Sequence, residues 1–476
     1  MNRTIFIILS AALIYSCTTK TGDKKPNILF IFADDQTFQS INALNNNDII
    51  TPHLDKLARS GVSFTHTYNM GAWHGAVCVA SRAMLNTGRF LWHAREQEKN
   101  YKDFAHNRMF WSQMMEDAGY DTYMTGKWHV KFPADSIFQN AVHIRPGMPS
   151  TVPEAYNRPL SPDDTTWLPW HKKYGGFWEG GTHWSEVLAN DAIQFLDQAK
   201  TSEKPFFMYL AFNASHDPRQ SPKEFVEMYP LENIPLPESF MELYPYKEQI
   251  GCGKDLRDEK LAPFPRTAYS IQVHRQEYYA LITHMDQQIG RIINYLKENG
   301  LDDNTYILYS ADHGLSVGNH GLMGKQNMYD HSMRVPCILV GPDIPENETR
   351  KIQVYLQDLM ATSLDLAGIG KPEYVEFNSL LPLIENPDAT GPYNDIYGAY
   401  RDLQRMVRTE KYKLIVYPEA KKIRLFDIDK DPDEINDLAA QQKYENVISE
   451  LAEKLKRQQV IMNDTLNLHS FFPEIF

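Results

Sequence analysis

Two kinds of hydrophobic spacing alternate along residues 26–390. In "NILFIFA" (27–33), "PFFMYLAF" (205–212) and "TYILYSA" (305–311) nearly every position is apolar, the pattern of a strand buried on both faces. Between such runs, apolar residues recur every three or four positions. "TPHLDKLARSG" (51–61) has Thr51 as cap, Pro52 in its first turn and Gly61 as stop, the punctuation of a helix. "RMFWSQMMEDAGY" (108–120) reads as a helix and "DTYMTG" (121–126) as a strand. Helices are predicted over 185–199, near 275–299 and near 357–367, with a further strand at "VPCILVG" (335–341). Strands alternating with helices predict an α/β fold, a mostly parallel sheet sandwiched by helices.

Beyond about residue 392 the pattern changes. "DIYGAY", "QRMVRT", "YKLIVYP" and "IRLFDID" are short strands separated by turns, and a helix follows at 443–457. This predicts a main domain over 26–390 and a smaller C-terminal subdomain over 391–476, an antiparallel sheet plus one helix. Two stretches fit neither pattern. Residues 140–184 carry Trp167, Trp170, Trp178 and Trp184 among prolines and glycines, and 229–270 are rich in proline and charge. Irregular segments of that length are functional or disordered. The tryptophans read equally well as core packing or as a sugar-stacking surface.

The N-terminus adds a destination. One arginine, an apolar run from Ile5 to Ile14 and then Ser16-Cys17 match a bacterial lipoprotein signal over 1–17, with residues 18–25 as a polar tether. The run is too short to span a bilayer. The expected location is the bacterial cell envelope, in the periplasm or as an outer-membrane lipoprotein, with membrane contact only through a lipid on Cys17. A net charge of -13 and the absence of any basic stripe exclude a general nucleic-acid binder. With Cys17 lipidated, Cys78, Cys252 and Cys337 remain, so at least one thiol is unpaired. Cys337 lies in an apolar run and reads as an inert buried thiol, and Cys252 reads as a loop residue.

The predicted strands end on unusual residues. Asp34 and Asp35 follow the first strand, and Lys127 and His129 follow "DTYMTG". His216 follows the 205–212 strand, Asp312 and His313 follow the 305–311 strand, and Lys325 comes soon after. Ligands of open parallel sheets bind beyond the carboxyl ends of the strands. Three carboxylates with an imidazole or amide suit a hard cation such as Ca²⁺. Lysines at the same edge suit an anionic substrate, and histidines supply acid and base near neutrality. Phosphate esters and sulfate esters both want this combination. Taken singly, each residue has a plainer reading as a turn aspartate, a surface lysine or a loop histidine, and Asp330, His320 and His331 are read that way.

"CVASRAMLNTGR" (78–89) resembles the signature of the formylglycine-dependent sulfatases, Cys-x-(Pro/Ala)-x-Arg followed by a helix ending near Thr-Gly-Arg. The resemblance extends along most of the chain. Asp34-Asp35, Gly126-Lys127-Trp128-His129, His216, Asp312-His313-Gly314, Lys325 and the late "LFDIDKDPDEINDL" (425–438) each match a family motif. It implies an alkaline phosphatase-like fold and a Cys78 oxidised to formylglycine by a sulfatase-maturating enzyme before export. It implies one Ca²⁺, held by Asp34, Asp35, residue 78, Asp312 and His313. In the family's chemistry one hydroxyl of the hydrated aldehyde attacks sulfur, and deprotonation of the other expels sulfate, a two-step covalent route. By the same resemblance Arg82 anchors the formylglycine, and Lys127 and Lys325 hold sulfate oxygens. His129 assists deprotonation of the diol, and His216 protonates the leaving oxygen. Ala80, where proline is commoner, suits maturation by a radical-type enzyme, and His313 stands where many relatives have asparagine. The implied activity is hydrolysis of a sulfate ester on a saccharide, of galactose, N-acetylgalactosamine or glycosaminoglycan type. The rival readings are a phosphodiesterase or phosphonate monoester hydrolase on the same fold, and a glycan-binding lipoprotein without activity.

Overall fold

The computed structural model describes residues 24–44 and 46–476; the predicted signal and Cys17, the predicted lipidation site, lie outside them. The apolar runs form the centre of a nine-stranded sheet. Its first strands are β1 (Asn27–Ala33) and β2 (Val62–Tyr68); the two-residue β3 (Gly71–Ala72) belongs elsewhere. β4 (Asp121–Lys127) and β5 (Asn140–Arg145) follow. After a small hairpin of β6 (Trp178–Glu179) and β7 (Thr182–His183) come β8 (Phe206–Ala211) and β9 (Thr305–Ala311). β10 (Arg334–Val335), β11 (Cys337–Val340) and β12 (Glu348–Tyr355) complete the sheet.

The order β9-β1-β8-β4-β5 is entirely parallel, with Ile31 opposite both Leu210 and Tyr309. β11 turns antiparallel to β9 and β2, while β12 runs parallel to β2. "VPCILVG", predicted as one strand, is two: Pro336 has no N–H to give the ladder and separates β10 from β11. β1 is buried from Ile28 to Ala33, as its unbroken apolar run requires. Helices cover the sheet as predicted, including Pro52–Arg59, Trp111–Asp117, Trp184–Ala199 and Asp358–Leu366. The longest helix starts at Ala268 rather than near 275, because the Thr267 side chain accepts the Ser270 N–H and caps it. No helix among the described residues is long and apolar enough to cross a membrane.

The C-terminal strands β13 (Ile396–Tyr400), β14 (Gln404–Arg408), β15 (Tyr412–Tyr417) and β16 (Lys422–Asp427) pair antiparallel in sequence order, and the helix Glu445–Ile461 follows. β3 joins this sheet as a fifth strand, parallel to β13. The chain leading into the "CVASR" segment is thereby fixed to the C-terminal sheet only a few residues before Cys78. Asp330, His320 and His331 lie in a buried polar cluster against this sheet. Asp330 is paired with Lys413 and lies 3.6 Å from the Arg408 guanidinium, and His320 stacks on Tyr329 at 3.8 Å. Within 140–184, Trp167 and Trp178 are buried; Trp167 stacks on Tyr174 at 4.7 Å and, with Trp170, lines a cavity. Trp184 opens a helix and carries the Arg145 guanidinium 4.6 Å from its ring centroid.

Candidate active site

The four adjacent strands β9, β1, β8 and β4 deliver their polar ends to one place. Asp34 and Asp35 are the first residues beyond β1, and Asp312 and His313 the first beyond β9. His216 lies five residues past β8, and Lys127 is the last residue of β4. Gly126 makes that last position possible: its φ is +94°, and a Cβ there would meet the Ala211 carbonyl oxygen of β8 at 2.0 Å. The "VCVASRAMLNT" helix (Val77–Thr87) is buried throughout and closes on a left-handed Gly88 whose N–H reaches the Met84 carbonyl. Cys78 is its second residue, and Arg82 lies one turn further on.

The donor atoms of Asp34, Cys78, Asp312 and His313 all lie within 4.8 Å of one another, and those of Asp34, Asp35 and His216 form a second such group. Asp34 Oδ1 and His313 Nε2 are buried without any hydrogen-bond partner. His313 Nδ1 donates to the Gly314 carbonyl at 2.9 Å, which leaves Nε2 as the nitrogen free to ligate. Nε2 is 3.2 Å from Asp35 Oδ1 and 3.5 Å from Asp312 Oδ1. Burial, and then the neighbouring Asp312, push the Asp34 carboxyl well above the usual carboxylate range, against the pull of Lys127. Burial would depress His313, yet Asp312 and Asp35 hold it above its ordinary value. Orphaned acceptors among crowded carboxylates are the signature of a place for a hard divalent cation, and Asp34, Asp35, Asp312 and His313 fit one.

Cys78 Sγ lies 3.2 Å from His129 Nδ1. Burial alone would raise this thiol, but Lys127 and the neighbouring His129 and His313 rings hold it well below the usual value. Cys337, by contrast, is pushed up to about 12 by burial, and Cys252 is also raised. Both are buried free thiols outside the cluster. Arg82 donates from Nε to Asp312 Oδ2 at 3.0 Å and from Nη1 to the Lys127 carbonyl at 2.6 Å, with its guanidinium 4.8 Å from the Phe32 ring centroid. It thus ties the strand ends together, and its Nη2 stays buried without an acceptor. Lys127 Nζ binds Asp34. Lys325 Nζ donates to both Asp35 oxygens at 2.9 Å and lies 3.0 Å from His216 Nε2. Every predicted site residue is therefore in one cluster.

Above this floor opens a cleft of about 450 Å³, lined by Cys78, His129, His216 and Lys325, and walled by residues the sequence did not single out. Pro146, Gly147 and Met148 form one side, and Leu256, Arg257 and Asp258 another. A Cβ on Gly147 would fall 2.2 Å from the His129 ring, so that ring rests directly on backbone. His216 Nδ1 donates to the Asp217 carbonyl at 2.8 Å and lies 3.0 Å from its Oδ1, and Asp217 Oδ2 accepts from Arg257 Nη1 at 2.9 Å. Asp258 takes the other Arg257 nitrogen, accepts from the Gln326 amide at 2.7 Å and lies 3.7 Å from Lys325 Nζ. The only available signals were that Asp217 adjoins His216 and that 140–184 and 229–270 are long irregular segments.

With the newly found Asp217, Arg257 and Asp258 included, four cationic side chains face five carboxylates. A divalent cation would turn that excess of negative charge into an environment suited to a monoanionic ester.

Comparison with known proteins gives the geometry its context. The sulfatase family profile matches residues 26–369, and the profile of the N-sulphoglucosamine sulphohydrolase C-terminal region matches 318–461. An N-acetylglucosamine-6-O-sulfatase of Bacteroides thetaiotaomicron is 25% identical, with 96% of this chain and 90% of that protein covered. A solved protein structure in complex with its substrate D-glucosamine-2-N,6-O-disulfate superposes with a TM-score of 0.71 at 23% identity, covering 93% of this chain and 99% of the other. The phosphonate monoester hydrolase of Agrobacterium radiobacter shares the fold, with a TM-score of 0.69 at 20% identity, covering 92% of this chain and 96% of the other.

Proposed function

From the premise that this chain belongs to the sulfatase family and is a sulfuric ester hydrolase, we propose that it removes sulfate from a saccharide using a formylglycine made from Cys78 and a bound Ca²⁺. The observation that carries this reading is the position of Cys78. Its Sγ shares one small volume with Asp34, Asp312 and His313 and sits 3.2 Å from an imidazole nitrogen. A nucleophile at that position faces a cation, a base and two lysines at once.

Water and the ester R–O–SO₃⁻ give R–OH and hydrogen sulfate. Asp34, Asp35, Asp312 and His313 would hold the cation together with residue 78. The cation supplies Lewis-acid stabilisation of the charge on the sulfate oxygens. Lys127 and Lys325, held by Asp34 and Asp35, present ammonium donors to the same oxygens. His129 takes the proton from the group at position 78, the role its ring nitrogen already faces. His216 gives a proton to the leaving sugar oxygen, with Nδ1 held by Asp217 and Nε2 turned to Lys325. Arg82 positions Asp312 and Lys127 beneath the reacting group.

A sulfated saccharide is supported by the N-acetylglucosamine-6-O-sulfatase relative and by the glucosamine disulfate complex. Glycosaminoglycan-type hexosamine units fit these better than galactose units. The Ser16-Cys17 pattern supports an envelope lipoprotein, and Ala80 supports maturation by a radical-type enzyme before export.

The test is sulfate and phosphate release from sulfated and phosphorylated saccharides, with enzyme co-produced with a maturase, supplied with Ca²⁺ and compared with Cys78→Ala. Sulfate release is expected, with a loss of at least about 10⁴-fold in the variant, as for removal of a covalent nucleophile. Peptide mass is expected to show an aldehyde at residue 78. Phosphate release in its place, or an unmodified Cys78 in an active enzyme, would overturn the reading.

A further inference from the structure

We propose that Arg257, gripped between Asp217 and Asp258, is a specificity-determining residue. It reads free ring hydroxyls beside the sulfated position of the saccharide. The inference rests on the saccharide sulfatase reading above and deepens it by naming what the substrate must leave unmodified.

The cations of the floor are almost wholly enclosed. Arg82, Lys127 and Lys325 are at most 2% exposed at their side chains, and each is bound to a floor carboxylate. Arg257 is 34% exposed and lines the same cleft. Its contacts say what it faces. His216, Asp217, Arg257, Asp258 and Lys325 form a closed ring of contacts, because Lys325 Nζ also lies 3.0 Å from His216 Nε2. His216 and Lys325, side by side, serve the leaving oxygen and the sulfate. Arg257 stands across Asp217 and Asp258 from that pair on the same cleft, where the sugar that carries the ester must extend.

The chemistry of these contacts selects among ring substituents. A guanidinium carries five N–H donors. Asp217 and Asp258 take two, which leaves the others for a ligand. Carboxylate acceptors lie on both sides of these donors. A hydroxyl, which donates and accepts, completes such an alternating row. A second sulfate or a carboxylate only accepts, and would set a further negative charge against Asp217 and Asp258, which already share the Arg257 guanidinium, with Lys325 3.7 Å from Asp258. The subsite therefore favours a monosulfated ring with its neighbouring hydroxyls free.

Matured, Ca²⁺-loaded enzyme would be assayed by sulfate release with 4-nitrophenyl sulfate and with monosulfated N-acetylglucosamine and N-acetylgalactosamine. Deoxy analogues lacking the hydroxyl beside the ester and doubly sulfated counterparts complete the set. Arg257→Met is expected to lower kcat/KM for the preferred monosulfated sugar about 10- to 100-fold more than for 4-nitrophenyl sulfate, the worth of a hydrogen bond to a charged group. The deoxy analogue should cost the wild type a similar factor and the variant little, a coupling that general misfolding cannot imitate. Arg257→Lys should not restore the preference, because an ammonium lacks the planar fork.

Equal losses on sugar and aryl ester would make Arg257 a prop for His216 and Lys325 and overturn the proposal. Faster turnover of the doubly sulfated sugar, abolished in Arg257→Met, would replace it with an anion reader. If wild-type enzyme hydrolyses 4-nitrophenyl sulfate through Cys78 but none of the sugars, the saccharide reading fails and this proposal fails with it. Hydrolysis of the sugars without any hydroxyl dependence sinks this proposal alone.

Discussion

The floor of the cleft consists of side chains that follow directly on buried parallel strands, and Asp34, Lys127 and Asp312 are wholly enclosed. The wall consists of residues from two irregular segments, among them Gly147, Met148 and Arg257, which meet only because the chain folds back on itself. Charge density separates the two regions as sharply as geometry does. The floor packs carboxylates and cations so tightly that each is stable only with its partners present. The wall borders open space, and apart from Arg257, which pairs with the buried Asp217 and Asp258, its members can change at small cost to the fold. Reaction chemistry belongs to the floor and substrate choice to the wall, so perturbing the floor should move stability and activity together, while perturbing the wall away from Arg257 should move activity alone.

The largest expected effect is removal of the cation. Chelation of Ca²⁺ should abolish sulfate release and lower the melting temperature. Returning Ca²⁺ to about 100 times its Kd should restore about 2.7 kcal/mol of stability. Differential scanning calorimetry across a Ca²⁺ titration, read beside sulfate release, checks both. A melting temperature indifferent to Ca²⁺, with activity intact in chelator, would remove the cation from the floor. Arg82→Met comes next. It leaves Asp312 buried without its guanidinium and frees the Lys127 carbonyl. Breaking such a buried pair costs about 3–5 kcal/mol, and kcat should fall by about 10³ with the displaced floor. Urea unfolding with a sulfate-release assay measures the two losses. A variant that lost activity but kept full stability would break the comparison, because Arg82 would then act on chemistry without supporting the fold.

The same division explains what could be read from the chain. An unbroken apolar run defines a buried strand, and the next residue must lie at its carboxyl edge, so Asp34, Asp35, Asp312 and His313 are placed by local pattern alone. Lys127 and His129 follow for the same reason. β2 escaped the reading because Ser63, Thr65, His66 and Thr67 dilute its apolar residues, although its neighbours β11 and β12 bury most of it. The wall was illegible for a stronger reason. Met148 and Arg257 touch across 109 residues of chain, and nothing in either segment's composition records that contact. Arg257 itself looks like any surface arginine until Asp217 and Asp258 are seen on either side of it. Resemblance to a family carried the floor because its residues sit at fixed offsets from strands and motifs; the wall has no such offsets to match.

Gly147→Ala tests the wall at the point where it touches the floor's base. Gly147 has no side chain, and the His129 ring occupies the space a Cβ would need, with the nearest ring atom 2.2 Å from that position. The ring is the movable partner, because the strand end beneath it is fixed by the Arg82 bond to the Lys127 carbonyl. An alanine must therefore push His129 away from residue 78, lengthening the 3.2 Å approach of Nδ1 to the nucleophile's position. A displacement of about 1 Å in a catalytic group costs about 10²-fold in rate, so kcat should fall by roughly that factor. The Ca²⁺-dependent melting shift should remain, because His129 is not among the cation's proposed ligands. Sulfate release by matured Gly147→Ala, measured beside its melting curves with and without Ca²⁺, decides the matter. Full activity in the variant would place the base elsewhere, whereas loss of the Ca²⁺ response would show that wall and floor fold as one unit.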